Sequence, residues 1–109
     1  MKLLQVNYRR ERGQDDREQG EQLLAAAEQL SGLPGLQWKI WIYDDAAGAA
    51  GGIYLFDTEE HARTWGDEML PHALAGLPGG TSDVDTRYFD IDERLSAVTR
   101  GPVAASQAV

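Results

Sequence analysis

The segment 35–56 constrains the fold more than any other part of this chain. It carries two of the three tryptophans and two of the four tyrosines, on two runs that read as β-strands. The double glycine Gly51-Gly52 stands where the second run begins, and glycine in a strand allows other atoms to approach the backbone closely. Strands with so many aromatic rings form either the wall of a small-molecule pocket or a buried interface between sheets.

Four strands are predicted from alternating apolar residues and from the turn residues between them. Their predicted bounds are 2–8, 36–43, 52–57 and 84–91. The second and third strands flank residues 44–51, a loop that is too long for a two-residue hairpin turn and is rich in glycine and alanine. We expect this loop to be mobile.

Two main helices are predicted between these strands. The first follows Asp15, an N-cap residue with Glu18 three positions later, as a capping box requires. Its narrow apolar stripe has the helical period and consists of Leu23, Ala26, Ala27 and Leu30. The second helix follows Asp57 and Glu60 in the same capping pattern, and Pro71 should kink or end it.

The predicted order is β-α-β-β-α-β with a short final helix at 94–98, which is the order of the ferredoxin-like α+β fold. In that fold four strands form an antiparallel sheet, and both helices cover one of its faces. We predict one domain over residues 1–99 and a flexible C-terminal tail over residues 100–109, which has no apolar period. This tail is either frayed or an arm that reaches onto a partner. The uncovered sheet face would expose large apolar side chains on a monomer, so we expect a homodimer.

The composition excludes several classes of function. The net charge is −8, so a nucleic-acid partner is not expected. The chain has no cysteine, which excludes disulfides and thiolate chemistry. No apolar stretch approaches the roughly 20 residues of a membrane span, and we expect no membrane insertion and a cytoplasmic location. Arg9, Arg10 and Arg12 form the one basic cluster, which is either a solvated strand exit or a clamp for a substrate anion.

Several runs of the sequence carry a resemblance to a known family. They are LLQVNY in the first strand, LQWKIWIY and GGIYLF in the aromatic strands, FDTEE at the second helix and FDIDERLS near the C-terminal end. Through them the chain resembles, over residues 3–98, the YdhR-type monooxygenase family of the dimeric α+β barrel superfamily. The resemblance implies a ferredoxin-like protomer whose sheet meets a second copy to close a β-barrel, with a cavity between sheet and helices.

The resemblance also implies a reaction class. The superfamily includes oxygenases that use neither metal nor flavin and act on polycyclic phenols and anthrones, together with haem-degrading and isomerising members. We therefore expect a cofactor-independent monooxygenase that acts on a small aromatic or quinol-like molecule. The alternative is a non-catalytic protein of the same fold that binds such a molecule, and a third possibility is an interaction protein that uses only its sheet.

Alternation along the strands predicts which residues share a sheet face. One predicted face mixes aromatic and polar side chains: Gln5, Asn7, Lys39, Trp41, Tyr43, Tyr54 and Arg87. Such a face forms either a small-molecule pocket or a hydrated dimer interface. The other predicted face is mainly apolar: Val6, Trp38, Ile40, Ile42, Ile53 and Leu55.

The predicted substrate-binding residues are Asn7, Trp38, Lys39, Trp41, Tyr54 and Trp65. Large aromatic residues at strand and helix spacing usually pack in a core, so core packing is the alternative role of Trp38 and Trp65.

The candidate catalytic residues are Asn7 and Tyr54, as hydrogen-bond donors, and His61, as a base that titrates near neutral pH. His61 and His72 are the only histidines, and a surface or capping role is the alternative for each. No carboxylate stands near them at ligand spacing, so no metal site is predicted.

Overall fold

The structure, a computed structural model, describes residues 1–77 and 80–103 of the chain. Its strands are β1 (Lys2–Arg9), β2 (Leu36–Asp44), β3 (Ala49–Phe56) and β4 (Ser82–Asp90). Its α-helices are α1 (Arg17–Leu30), α2 (Glu59–Arg63), α3 (Leu70–Ala75) and α4 (Glu93–Val98). The four strands form one antiparallel sheet in the order β2-β3-β1-β4, which confirms the predicted ferredoxin-like fold.

The core lies between the sheet and the helices. Its sheet residues are Leu4, Val6, Tyr54 and Phe56, and its residues from the segment 59–75 are Ala62, Trp65, Leu70 and Leu74. Leu30 of α1 packs against the same cluster. Both helical segments therefore cover one side of the sheet, as predicted. We name this side, which carries Leu4, Val6 and Tyr54, the inner face, and the opposite side the outer face.

Two helix starts lie one residue later than predicted. Asp16, not Asp15, is the N-cap of α1 and accepts a hydrogen bond from a backbone N–H of the first turn at 2.8 Å. Thr58, not Asp57, caps α2 in the same way at 3.1 Å. The backbone N–H of Asp57 still donates to the carbonyl oxygen of Gly35 at 2.9 Å, so this residue stays hydrogen-bonded to the residue that precedes β2.

The connection between β2 and β3 is shorter than predicted. Asp45–Ala47 forms a 3₁₀ turn, and Gly48 follows in the left-handed conformation with a φ of 65°. Ala49 and Ala50 already pair with both β1 and β2, because β3 is a central strand with hydrogen-bonding neighbours on each side. The predicted loop over residues 44–51 is therefore too long, because Asp44 belongs to β2 and residues 49–51 belong to β3.

The second helical segment is interrupted near Pro71, as predicted. A π-helical turn at Thr64–Met69 separates α2 from α3, and Pro71 lies in the first turn of α3. A proline ring clashes with the carbonyl four residues earlier in a regular helix, whereas the first turn tolerates its missing N–H. No helix in the described part of the chain combines the length and the apolar character that a membrane crossing needs.

The basic cluster is not uniformly solvated. Arg10 is only 6% exposed, because its guanidinium donates to the Gln19 side chain and to the Gly80 carbonyl oxygen, the latter at 3.2 Å. These contacts join the end of β1 to α1 and to the segment before β4. The prediction of a solvated strand exit is therefore wrong for Arg10, whereas Arg9 is exposed.

The C-terminal segment contacts the outer face. The indole nitrogen of Trp38 donates to the carbonyl oxygen of Pro102 at 2.7 Å, and Val103 is buried. Residues 100–103 of the predicted tail thus include a segment packed against the sheet. Residues 104–109 of that tail lie outside the described residues.

Gly51 lies at a close contact between β3 and β1. A Cβ atom at this position would stand 1.9 Å from the carbonyl oxygen of Val6, which is a backbone atom of the sheet. The strands can keep their register only if this position has no side chain. The close approach of backbone to a strand glycine, which the sequence predicts, is thereby confirmed.

Replacing Gly51 by Ala is expected to lower the free energy of unfolding by about 1–3 kcal/mol, because the added methyl group overpacks the sheet. Gly20→Ala in α1 is the matched control, since nothing lies within 4 Å of a Cβ atom there. Alanine is favoured over glycine in a helix by roughly 1 kcal/mol, so this variant should be more stable. Denaturant titrations should give midpoints that move in opposite directions, and an unchanged midpoint for Gly51→Ala would contradict the close contact.

Candidate functional site

A cavity of about 280 Å³ lies between the inner face and the helices. The residues that line it are Tyr8, Leu23, Ala26, Gln29, Leu30, Leu33, Lys39, Trp41, Gly51, Gly52, Tyr54, Trp65, Met69, Leu70, Ala73, Leu74 and Leu77. Among these described residues Lys39 is the one side chain with an amine or carboxylate group, and most of the others are apolar or aromatic. A largely apolar wall with a few polar groups is the usual composition of a small-molecule site.

Tyr54 and Trp65 form an aromatic wall of this cavity. Their ring centroids are 6.0 Å apart, with an angle of 50° between the rings. Only 2% of Tyr54 is exposed, and burial raises the pKa of its hydroxyl group far above the usual value, because the ionised form is poorly solvated there. Tyr54 therefore stays protonated at neutral pH and can donate a hydrogen bond, but it cannot act as a base.

Lys39 brings an amine into the cavity. Its Nζ atom lies 3.2 Å from the centroid of the Trp41 ring and 4.7 Å from that of the Tyr54 ring. Burial lowers the pKa of the amine from 10.5 to about 7, and no charged partner contributes to the shift. A large share of Lys39 is therefore a neutral amine at neutral pH.

Gly52 leaves the space that the Lys39 side chain occupies. A Cβ atom on Gly52 would lie 2.6 Å from Cε of Lys39 and 3.1 Å from Cε1 of Tyr54. The pairing of Lys39 with Tyr54 and of Trp41 with Gly52 puts the lysine stem beside this gap. The lysine between two tryptophans, on a strand that pairs with a double glycine, was the available sequence signal for this amine, but its lowered pKa was not predicted.

The structure brings together four of the predicted binding residues, Lys39, Trp41, Tyr54 and Trp65. Asn7 and Trp38 do not line this cavity. Asn7 pairs with Gly51 and Trp38 pairs with Leu55, which places both side chains on the outer face. Trp38 also borders a separate groove at the edge of β2. Asn7 is therefore not in a position to donate a hydrogen bond to a molecule in the cavity.

The predicted face is wrong for three further residues. Gln5 pairs with Ile53 and with Arg87, so these side chains share the outer face. Val6 pairs with Gly52 and lies on the inner face, where it is part of the core. Alternation assigns faces within one strand, but only the pairing between strands determines which faces coincide.

Neither histidine lines the cavity. Nδ1 of His61 lies 2.7 Å from a carboxylate oxygen of Asp57 at the start of α2, where both side chains are partly exposed. The pair packs over Gly35, which needs its φ of 78° and has no room for a Cβ atom. His72 is exposed on α3. The described residues contain no cluster of three or more side chains suited to hold a metal ion.

Comparison with protein families identifies the family. Residues 3–102 match the family described as "Putative mono-oxygenase ydhR". The chain belongs to this family. The resemblance that the aromatic strands carry is thereby confirmed. A search of curated proteins found no match.

Solved structures with the same fold include two proteins of known ligand. One is the monooxygenase from the gene ActVA-Orf6 of Streptomyces coelicolor in complex with nanaomycin D, with a TM-score of 0.55, 17% identity, and coverage of 82% of this chain and 86% of that chain. The other is the heme-degrader MhuD from Mycobacterium tuberculosis with two hemes bound, with a TM-score of 0.57, 12% identity, and coverage of 83% and 95%. At these identities the likeness shows the fold alone, the four-stranded α+β protomer described above.

In this ydhR-family protein the inner-face cavity combines two complementary groups. The Tyr54 hydroxyl group can donate a hydrogen bond but does not ionise, and the Lys39 amine can accept a proton. The apolar wall keeps the local dielectric constant low, which strengthens interactions between charges that form inside. The cavity can therefore bind a compact aromatic molecule and stabilise an anion of it.

The unpaired amine should make stability depend on pH. Unfolded Lys39 keeps its proton up to about pH 10.5, whereas folded Lys39 loses it near 7, so the unfolded state binds more protons between these values. The contribution of this group to stability therefore rises with pH across that window. Below it, the fold bears the full cost of burying a cation.

Lys39→Met is expected to be more stable than the unchanged protein at pH 6, because it removes this cost. One pKa unit corresponds to about 1.4 kcal/mol, so the shift of Lys39 predicts a gain of up to several kcal/mol. The gain should shrink steadily as the pH rises to 10. Denaturant titrations across this range measure it, and a difference that is independent of pH would show that the amine is not desolvated in the folded state.

Proposed function

We propose that this ydhR-family protein oxygenates a small aromatic molecule of the phenol or quinol class in the inner-face cavity, without a prosthetic group. The observation that supports the proposal is the cavity itself, whose mainly apolar wall contains the Trp41, Tyr54 and Trp65 rings and a single amine, that of Lys39. The family description refers to mono-oxygenation, and the related fold in Streptomyces coelicolor binds nanaomycin D.

The proposed reaction has a simple balance. Dioxygen gives one oxygen atom to the ring carbon opposite the hydroxyl group, and that carbon becomes a carbonyl, so the phenol becomes a quinone. The other oxygen atom leaves as water with the hydrogen of that carbon and the hydroxyl proton. The substrate supplies all the electrons, so no external reductant is consumed. Such a reaction needs a substrate that becomes an electron-rich anion, a cavity that excludes water, and a donor for the developing charge. Tyr54 is the proposed donor.

The size of the cavity favours a compact ligand. A volume of about 280 Å³ is just below the usual range for small-molecule sites, about 300–1,000 Å³. Haem, which the related MhuD degrades, is large, and neither histidine of this chain lines the cavity to hold its iron. A fused-ring phenol is therefore the better proposed substrate, and haem belongs in the test as a competing ligand.

A panel of anthrones, hydroquinones and haemin, incubated with the purified protein, tests the proposal. We expect oxygen uptake above the rate of autoxidation with an anthrone or hydroquinone. The variant Ala26→Phe should reduce ligand binding and uptake by about tenfold or more, since its ring fills the cavity and even 1.4 kcal/mol of lost affinity is tenfold. Ala25→Phe is the matched control, because Ala25 is the neighbouring residue of α1 and is exposed.

Two results would contradict the oxygenase proposal. Quenching of tryptophan fluorescence by the ligands, with every ligand recovered unchanged, would identify a non-catalytic binding protein. Uptake that Ala26→Phe leaves intact would place the reaction outside the cavity.

We also propose that the protein is a cytoplasmic homodimer in which a second copy covers the outer face. On this side and on α4 large apolar side chains are exposed: Ile40 by 50%, Phe89 by 43%, Leu95 by 64% and Val98 by 75%. Apolar area of this kind on a small protein marks an interface. The resemblance to the dimeric α+β barrel superfamily implies sheets that pair in this way, and a symmetric arrangement lets one patch serve both partners.

Phe89→Lys is expected to convert the dimer into a monomer, because it places a charge in the apolar patch of each copy. Leu24→Lys is the control, since Leu24 is 63% exposed on α1, on the other side of the sheet. Light scattering after size-exclusion chromatography should give twice the chain mass for the unchanged protein and for Leu24→Lys. A measured mass of one chain for the unchanged protein would contradict the dimer proposal.

A further inference from the structure

The chain has two lysines, and the structure places them in opposite environments. The Nζ atom of Lys2 lies 3.0 Å from a carboxylate oxygen of Glu59 and 2.7 Å from one of Asp90. The Nζ atom of Lys39 rests instead on the faces of two aromatic rings, and the shift of its pKa has burial as its cause, with no charged partner. Lys2 has the surroundings of a structural cation, whereas those of Lys39 leave its amine available to a ligand.

We propose that the Lys39 amine is the proton acceptor of the cavity, and that the ligand it selects is an acidic phenol or enol that binds as its anion. The inference rests on the proposed function for the aromatic character of the ligand, and it names the group that ionises that ligand. The hydroxyl proton moves to Nζ, the electron pair of the O–H bond stays on oxygen, and the products are an ammonium and a phenolate. No oxidant or reductant takes part in this step.

No other described group that faces Lys39 can accept this proton. The titratable side chains that β1 and β3 contribute to the cavity are Tyr8 and Tyr54, and burial raises the pKa of both hydroxyl groups, so they remain protonated. The polar group that α1 contributes is the neutral amide of Gln29. The segment 64–77 contributes apolar side chains and the indole of Trp65.

The surroundings of Lys39 favour both states that proton transfer requires. Before transfer, burial lowers its pKa to about 7, which keeps the neutral amine available at neutral pH. After transfer, the ammonium lies over the electron-rich faces of Trp41 and Tyr54 and opposite the new anion. Charges of opposite sign attract strongly in a cavity of low dielectric constant. A ligand that cannot ionise offers no such partner, so the cavity should select by acidity as well as by shape.

Binding of 4-nitrophenol tests this without any turnover, because its phenolate absorbs at longer wavelength than the neutral phenol. 4-Nitroanisole has almost the same shape and no proton to give, so it is the matched ligand. At a pH just below the pKa of the free phenol, we expect the bound phenol to show the phenolate band. Its affinity should be highest near neutral pH and fall on either side, whereas 4-nitroanisole should lack the fall in affinity on the alkaline side, where Lys39 is already neutral and this ligand has no proton to regain.

Two variants separate proton acceptance from charge and shape. Lys39→Met should bind 4-nitrophenol in its neutral form, with affinity lowered by about tenfold, and should keep the affinity for 4-nitroanisole. Lys39→Arg keeps a cation that does not give up its proton, so it should bind the phenol only at a pH where the free phenol is already ionised. A bound phenol that stays neutral in the unchanged protein, or that is ionised equally well by Lys39→Met, would overturn the proposal.

The test of Lys39 as proton acceptor and the test of oxygenation can succeed or fail independently. A phenolate band that depends on Lys39 supports the present inference even where no substrate consumes oxygen. If oxygenation does occur, loss of its base should slow it by about 100-fold or more. Oxygen uptake that Lys39→Met leaves unchanged would keep the oxygenase and overturn Lys39 as its base.

Discussion

The sheet and the cavity both depend on two consecutive positions of β3 that carry no side chain. At Gly51 the Val6 carbonyl oxygen comes so near that a Cβ atom would lie 1.9 Å from it, so β1 and β3 can pair in this register only around a glycine. At Gly52, on the inner face, the missing side chain leaves the space that the stem of Lys39 crosses. The first glycine thus fixes the sheet, and the second opens the site on its inner face.

The π-helical turn at Thr64–Met69 shapes the same cavity from the helical side. It places Trp65 in the cavity wall and brings Gly66 so close to Tyr88 of β4 that a Cβ atom would lie 2.2 Å from the tyrosine oxygen. The Tyr88 hydroxyl in turn donates to a carboxylate oxygen of Asp67 at 2.7 Å. A π-helical turn changes the direction of the side chains around it and is frequent at functional sites. In this chain the same turn places the Trp65 indole in the cavity wall and the backbone of Gly66 against Tyr88 of the sheet.

The order of the elements could be predicted from the sequence because periodicity and capping depend on residues that are near in the chain. The strand register could not, since alternation shows that Gln5 and Val6 lie on opposite faces but not which one meets the helices. That choice depends on the pairing of β1 with β3, about fifty residues away, and it decides that Asn7 lies on the outer face. Lys39 was predicted on the pocket face, but its lowered pKa depends on burial under α1 and the segment 64–77, which no strand pattern reveals.

An unpaired lysine in an apolar cavity lowers stability, and packing does not require it. An unbranched apolar side chain of similar length would fill the same place beside Trp41. Lys2 shows what a structural lysine looks like in this sheet: its two carboxylate partners raise its pKa and keep it charged. Lys39 has the opposite arrangement, so its protonation changes near neutral pH. Local departures from the rules of stability are expected where a protein binds or reacts. The contrast between the two lysines therefore supports Lys39 as part of the proposed site, on physical grounds that are independent of the family.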